Sequence, residues 1–327
     1  MNPIFKRIFF AFIPAILVFG IAEIFLRVQQ WPKATEDFEH NEAFWLVDPD
    51  LRQYSMPHNE ESTSFVVSTN SDGLRTPYEQ DNPQGQFRIM TLGCSTTFGW
   101  GVGDMDTYPA KLEKYLQEKG FTNVQVVNGG QPGYTSFQGN WLWDQLLYAY
   151  KPDLVIIGYI VQDARKAAYS DKSQAILQAD NRFLKDHFLY RSKTYLAVRY
   201  VMGGIQIQAK ERNGQDEGGS YRVPPEDYVE NIRQLVAKVS TNGGKSILFG
   251  YPLERTGYTE QHRQIVRYAA EELHTGYFDP QANMEKATMD TQLYFPRDKG
   301  HANVAGNDLI AVWMMEYLIN EQWIPQP

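Results

Sequence analysis

From Phe87 onward, short runs of unbroken apolar residues alternate with stretches of helical periodicity. "FRIMTLG", "NVQVVN", "PDLVIIGYI" and "SILFGYP" are the apolar runs. A strand with one wet face alternates apolar and polar side chains, so runs without alternation belong to a sheet covered on both faces. Helices are expected over "TYPAKLEKYLQEKG", over Phe137 to Tyr150, through Tyr228, Ile232, Leu235, Val236 and Val239, over Thr259 to Leu273, and over Asn303 to Ile319. Pro224 and Pro225 precede the third of these and "NGGK" follows it, which are start and stop signals. A short strand is expected near "TGYFDP". The fold class is therefore α/β: a three-layer α/β/α sandwich with a mostly parallel sheet, over residues 86–327. One excursion, 164–223, interrupts it. That excursion carries an expected helix near Ser192 to Val201 and a polar, glycine-containing tract, "AKERNGQDEGGSY", that reads as a loop.

Residues 1–30 read as a membrane anchor. Ile8 to Leu26 is an almost unbroken apolar run that as a helix would reach about 28 Å, close to the thickness of a bilayer's hydrocarbon core. Lys6 and Arg7 precede it, and Glu36, Asp37 and Glu39 follow. The positive-inside tendency then places the N-terminus in the cytoplasm and everything after Arg27 on the outer, periplasmic side of the inner membrane. A cleaved secretory signal is the competing reading, but the stretch is long for one and no small-x-small cleavage site follows it. Glu23 is the oddity within the span, suited either to the membrane interface or to pairing with another membrane helix, so a membrane-protein partner is a further expectation. Residues 31–85 have weak periodicity and are expected to form a stalk and cap, with "SFVVST" as a short strand.

Composition removes other classes. A chain of 327 residues with 43% hydrophobic content can bury a substantial core. Its formal charge is −8 and its Lys and Arg residues are scattered, so the basic surface that nucleic-acid binding requires is missing. Cys94 is the lone cysteine, which allows neither an internal disulfide nor a thiolate metal cage. The six histidines lack paired metal-ligand spacing, and no metal or organic cofactor is expected.

In an open α/β sheet, ligands collect at the carboxyl ends of the strands. Three unusual sequences fall there: "GCSTTFG", "NGGQPGYTS" and "VQDA". A fourth, "DKGHAN", precedes the last helix. Ser95 with an Asp-x-x-His pair, Asp298 and His301, is the minimum set for acyl transfer: a hydroxyl attacks, an imidazole takes its proton and a carboxylate orients the ring. In a helical turn, residues three apart share one face. Blander readings stand beside this one. Ser95, Thr96 and Thr97 could only cap a helix. Gly129, Gly130 and Gly133 could suggest a phosphate cradle, but no Lys-Ser/Thr follows. Cys94 reads as a packed, inert thiol. Phe98, Trp100 and Tyr134 flank the expected crevice and are candidates to stack on a sugar ring or line an acyl pocket, with ordinary packing as the alternative.

The four blocks, in this order and spacing, resemble those of the SGNH hydrolases, the GDSL lipase and esterase superfamily, in a membrane-anchored bacterial form. The resemblance covers about residues 87 to 320 and implies the family's flavodoxin-like three-layer fold. It implies Ser95 as nucleophile, His301 as general base and Asp298 as the third triad member. The N–H groups of Ser95 and Gly133 would form the oxyanion hole. Two departures matter. Cys94 stands where the first block has aspartate, a position outside the triad. Gln162 stands where the third block has the asparagine whose amide completes the oxyanion hole. A misplaced donor there costs about a hundredfold or more in rate. The expected function is a membrane-tethered serine esterase or O-acyltransferase acting on an acylated envelope glycan or lipid. The rival, favoured by Gln162 and Glu23, is a catalytically silent subunit of an envelope complex that keeps the fold.

Overall fold

The computed structural model describes residues 3–29, 52–58, 61–167, 170–173, 175, 192–198, 201, 220–254, 257–296, 298 and 300–327. The chain divides into two compact units, Met1–Trp45 with Lys172–Gly219, and Leu46–Asp171 with Ser220–Pro327. In chain order the helices are α1 (Pro3–Val28), α2 (Ser95–Phe98), α3 (Tyr108–Glu118), α4 (Ser136–Gln145), α5 (Pro225–Thr241), α6 (Glu260–Glu272), α7 (Gln281–Thr288) and α8 (Val304–Asn320). The strands are β1 (Arg52–His58), β2 (Glu61–Val67), β3 (Phe87–Gly93), β4 (Val124–Asn128), β5 (Leu154–Gly158), β6 (Lys166–Ala167), β7 (Ser220–Tyr221), β8 (Lys245–Phe249) and β9 (Gly276–Phe278).

In the larger unit, five of these strands form one sheet in the order β4-β3-β5-β8-β9, with every neighbour parallel. The apolar runs are buried from both sides, as their lack of alternation requires. Ile89, Leu154, Ile156, Ile247 and Phe249 face one core with α3 and α8, where Leu112, Leu116, Ile310 and Met314 meet them. The intervening residues Met90, Leu92, Val155, Ile157 and Leu248 face the other core with α4, α5 and α6, against Leu142, Ile232, Leu235 and Val266. This is a three-layer α/β/α sandwich. Its first two strands are laid down outward and the chain then crosses back, so the connections after β3 and β5 diverge and open a crevice between them.

Some expectations shift. The helix expected over Phe137 to Tyr150 is α4 followed by a 3-10 turn, Leu147–Tyr150, broken at Leu146 with φ −143°. α7 was not foreseen, and neither was β1, which pairs antiparallel with β2 through the expected "SFVVST" strand. Of the expected stalk, residues 31–51 lie outside the described residues. Phe65 and Val67, which are described, are buried with Phe98. Most of the polar tract 209–221 also lies outside them, although Ser220 and Tyr221 form β7 against β6.

In the smaller unit α1 runs through the apolar stretch as one helix with Pro14 inside it. Among the described residues no helix is long and apolar enough to cross a membrane. Leu17, Val18, Phe19, Ile21, Ile24, Phe25 and Val28 are exposed. Glu23 has partners within its own unit: it accepts from Ser192 Oγ and from the N–H groups of Lys193 and Thr194, and it pairs with Arg27. It therefore caps the start of a helical turn at 193–198, an anion placed where free N–H groups converge.

Candidate active site

Ser95 is the first residue of α2, a single helical turn at the end of β3. Cys94 precedes it in extended conformation and Gly99 closes the turn in the left-handed region at φ 85°, which glycine adopts without a Cβ penalty. The turn is held from three sides. Arg75, only 5% exposed, donates from Nη1 to the carbonyls of Phe98 and Gly99 (3.0 and 2.8 Å) and from Nη2 to that of Val102 (2.7 Å). Asn128 Nδ2 donates to Thr97 O at 3.0 Å. The backbone at Gly130 passes so close that a Cβ there would lie 2.5 Å from Phe98 N.

The partner of Ser95 arrives from the segment before α8. Phe295 N–H donates to His301 O, Tyr294 and Ala302 form an isolated antiparallel bridge, and Asn303 caps α8 through its side chain. This small closed loop presents Asp298 and His301 together. Asp298 takes the ring Nδ1–H of His301 at 2.8 Å to each carboxylate oxygen, and His301 Nε2 accepts the Ser95 hydroxyl proton at 2.8 Å. Burial pushes the Asp298 carboxyl up, but hydrogen bonds from the His301 side chain and backbone and from Gly300 outweigh it and hold the group below its ordinary range. An ionised Asp298 is acceptor-only, which fixes the tautomer with Nε2 free to accept. Residues 206 positions apart are thus joined in one relay. The hydroxyl of Ser95 goes to His301, and the N-cap of α2 is Cys94, which makes no side-chain cap bond.

Gln162 follows β5 and lines the same cavity, of about 650 Å³, with Ser95 and His301. Its Oε1 accepts from Arg222 Nη1 at 3.2 Å and lies 3.5 Å from Arg165 Nη1. With the carbonyl end so engaged, the Nε2 end is the one left to donate into the cavity. Arg222 is itself fixed. Nε and Nη2 donate to the two oxygens of Asp171 (3.0 and 2.8 Å), Nη2 also to Gln138 Oε1, and Nη1 to Gly133 O at 2.7 Å. Gly133 adopts φ 78°, a left-handed turn, and a Cβ there would meet nothing within 4 Å, so the conformation and not the space selects glycine. Next to Gln162, Asp163 is buried, with Oδ1 accepting from Ser136 N–H at 2.8 Å and Oδ2 without a hydrogen bond. Burial pushes its carboxyl up to about 7, against lowering by the Ser136 bonds and the Arg222 charge.

The three aromatic candidates are corrected. Phe98 is fully buried against Phe65 and Val67 with the Arg75 guanidinium 5.1 Å from its ring, and Trp100 packs edge-on to Phe65 at 5.4 Å. Tyr134 is fully buried in the core under α4. None of the three lines the cavity; the aromatics that do are Tyr221 and Tyr258. Gly133 also lies outside the lining, and its carbonyl accepts from Arg222. Cys94 is buried, and burial pushes its thiol up, away from reactive thiolate. Arg75, Asp171 and Arg222 went unrecognised in the sequence, because each bonds to backbone or side chains distant in the chain and none sits in a local motif.

A model of the GDSL-like lipase/acylhydrolase family matches residues 91–309. No curated protein matches the chain. Solved structures with a similar arrangement include a catalytic mutant of Axe2, an acetylxylan esterase from Geobacillus stearothermophilus, at 18% identity over 71% of this chain and 93% of that one, TM-score 0.47. The lipase/acylhydrolase from Enterococcus faecalis matches at 14% identity over 72% and 96%, TM-score 0.49. LAE5, from the metagenome of Lake Arreo, Spain, matches at 17% over 71% and 94%, TM-score 0.48. These are distant likenesses. The family match is of another kind, because it runs through about two thirds of the chain and takes in the end of β3, the Ser95 turn, Gln162, Asp298 and His301. The chain belongs to the GDSL-like lipase/acylhydrolase family.

Proposed function

We propose that this protein is a serine esterase whose nucleophile is Ser95, and that it cleaves or transfers a short acyl group carried on a glycan outside the cytoplasmic membrane. The observation that carries the reading is the continuous relay from Asp298 through His301 to Ser95. His301 Nε2 takes the Ser95 proton as Oγ bonds to the ester carbon, and the N–H groups of Ser95 and Gly133 with the Gln162 amide hold the resulting oxyanion. Collapse breaks the bond to the alcohol, which leaves with the proton from Nε2. Water then attacks the acyl-Ser95 ester, giving its proton to His301; the bond from Oγ to the acyl carbon breaks, Oγ takes that proton back from Nε2 and the acid is released; a sugar hydroxyl in place of water makes the same step a transfer.

The lining favours a short acyl group, since among the described residues its aliphatic side chains are Val161 and Ala164, beside two tyrosines and two glutamines, Gln162 and Gln261. The tether rests on the apolar run Ile8 to Leu26 behind Lys6 and Arg7, a sequence argument. The test is labelling of the full-length chain in detergent with a fluorophosphonate, alongside hydrolysis of p-nitrophenyl acetate. The expected result is covalent modification at Ser95, absent in Ser95→Ala, with hydrolysis falling to background. A folded wild type that neither labels nor hydrolyses would overturn the reading in favour of the silent-subunit alternative.

A further inference from the structure

Glu23 is a carboxylate near the end of an apolar helix, and the groups that satisfy it come from the excursion. Its oxygens accept from Ser192 Oγ at 2.8 Å and from the N–H groups of Lys193 and Thr194 at 3.0 and 2.8 Å, with the Arg27 guanidinium alongside at 2.8 Å. Ser192 Oγ accepts in turn from Tyr195 N–H at 3.2 Å, and Leu196 N–H donates to Ser192 O. The turn at 193–198 thus starts on α1 itself. All of these contacts lie within the smaller unit, in which Lys172–Gly219 belongs with α1. The residues that line the cavity beside Ser95 all belong to the larger unit.

The end of α1 is two-sided. Ala22, Glu23 and Leu26 are partly covered, whereas Leu17, Ile21, Ile24 and Val28, spaced four, three and four apart, form an exposed apolar stripe. A face built for a second membrane helix is rich in Gly, Ala, Ser and Thr, which let backbones approach closely; a stripe of Leu, Ile and Val suits lipid. On the docked segment Val198 and Val201 are exposed as well, which continues the apolar surface beyond the helix. With Ile8 to Leu26 in the bilayer, Glu23 lies three residues, about 4–5 Å of helix, inside the outer end of the span. An ionised carboxylate at that depth needs donors other than water. Ser192, Lys193 and Thr194 supply them, and so their turn has to sit at the same depth.

We infer that Ser192–Val198 with Val201 is a second membrane contact: docked on α1 through Glu23, it rests in the interface of the outer leaflet with its two valines against lipid. The protein then meets the bilayer twice, through the anchor and through the excursion. The inference rests on the tether reading and is independent of the esterase chemistry.

The test places an environment-sensitive fluorophore on Val198→Cys, Val201→Cys, Leu17→Cys or Met289→Cys of the full-length chain in phosphatidylcholine vesicles. Nitroxide lipids labelled near the headgroup or near the end of the acyl chain then quench it. Wild type, whose Cys94 is buried, sets the labelling background, and Met289, exposed at the end of α7, is the aqueous reference. Leu17 lies about 13–14 Å along the helix from Ile8, at the middle of the span, and reports the anchor. The expected result is that the headgroup-proximal nitroxide quenches the Val198 and Val201 labels about twofold or more and the deep one quenches them little, since an interfacial segment buries its apolar face only at the acyl boundary. In Glu23→Leu, which keeps the span apolar, the Val198 label should fall to the Met289 level while Leu17 stays quenched. A quenched Leu17 label with Val198 and Val201 behaving like Met289 overturns the second contact and leaves the tether standing. Four labels that all behave like Met289 overturn the tether and the contact together. Blue-shifted emission at Val198 without lipid quenching would put protein over the segment and overturn the lipid assignment. Quenching that survives Glu23→Leu overturns Glu23 as the docking residue.

Discussion

In the proposed oxyanion hole, Arg222 acts as a positioning residue, because it bonds both Gly133 O and Gln162 Oε1. Arg222 makes five hydrogen bonds, to Asp171 twice, Gln138, Gly133 O and Gln162 Oε1, and the last of these decides which end of the Gln162 amide faces the cavity. Arg222→Lys keeps a positive charge for Asp171, but an ammonium on a flexible stem cannot reproduce the planar fork that spans Gln162, Gly133 and Gln138 at once. Gln162 then has to be ordered anew in each transition state. Restraining a long polar side chain costs on the order of 1–2 kcal/mol, or roughly 5- to 30-fold in rate. The ceiling is the loss from removing the donor altogether, about 10²- to 10³-fold for Gln162→Ala.

The assay is steady-state hydrolysis of p-nitrophenyl acetate by wild type, Arg222→Lys, Gln162→Ala and the double variant, with thermal unfolding and titration of labelled Ser95 in parallel. The loss should fall on kcat with KM little changed, because the oxyanion exists only in the transition state. The two substitutions should overlap, with a coupling free energy of at least about 1 kcal/mol, since the second removes nothing the first has not already disturbed. Losses that simply multiply would refute the positioning role. So would an Arg222→Lys protein whose kcat per labelled site is normal while its melting temperature drops, which is the signature of a structural role alone.

Further outcomes follow from the same contacts. Asp298→Asn should lower kcat by about four orders of magnitude without loss of fold, because the relay depends on an acceptor that fixes the His301 tautomer; steady-state kinetics with circular dichroism checks it. Asp163 holds a proton in the folded state up to about pH 7, whereas the unfolded chain releases it near its ordinary value of 3.8. Its contribution therefore makes stability fall as pH rises between those values, by on the order of 4 kcal/mol, and Asp163→Asn should flatten that part of the melting-temperature profile. Gly133→Ala should cost about 1–2 kcal/mol in chemical denaturation through its left-handed φ alone, as the added methyl meets no atom. Arg75→Met removes three hydrogen bonds to the carbonyls of Phe98, Gly99 and Val102 and leaves Asp104 without its ion-pair partner, and should destabilise the protein by about 3–5 kcal/mol in the same assay.

Much of the fold could be read in the sequence because burial on both faces of a sheet leaves a local trace: Ile89 and Met90 point to opposite cores, so the run is mainly apolar on both faces, with Arg88 and Thr91 as its buried polar members. The longer helices α3, α5 and α6 were readable for the same reason, through one apolar face each, whereas α7 was not. β6 and β7 left no such trace. Two residues per strand bury nothing periodic, and the strands are brought together across more than fifty positions of chain. β1 was invisible for a related reason, since "RQYSMPH" shows no apolar alternation.

The site divides along the same line. Ser95, Asp298 and His301 announced themselves because the nucleophile sits in a glycine-bounded turn and the other two are three residues apart, so the chemistry is written in short blocks. The aromatics misled because proximity in sequence to Ser95 says nothing about side of the turn: Phe98 and Trp100 follow α2 around to the Arg75 face, away from the cavity. Gln162 shows the limit most clearly. Read alone, a glutamine on a longer stem than asparagine looks like a weakened donor, since the extra torsion adds freedom that the transition state must remove. What removes it beforehand is Arg222, whose own orientation comes from Asp171 and whose position comes from the rejoining end of the excursion. The fitness of one amide is thus set by residues at both ends of a segment of some fifty positions, and no reading of its immediate neighbours could have supplied it.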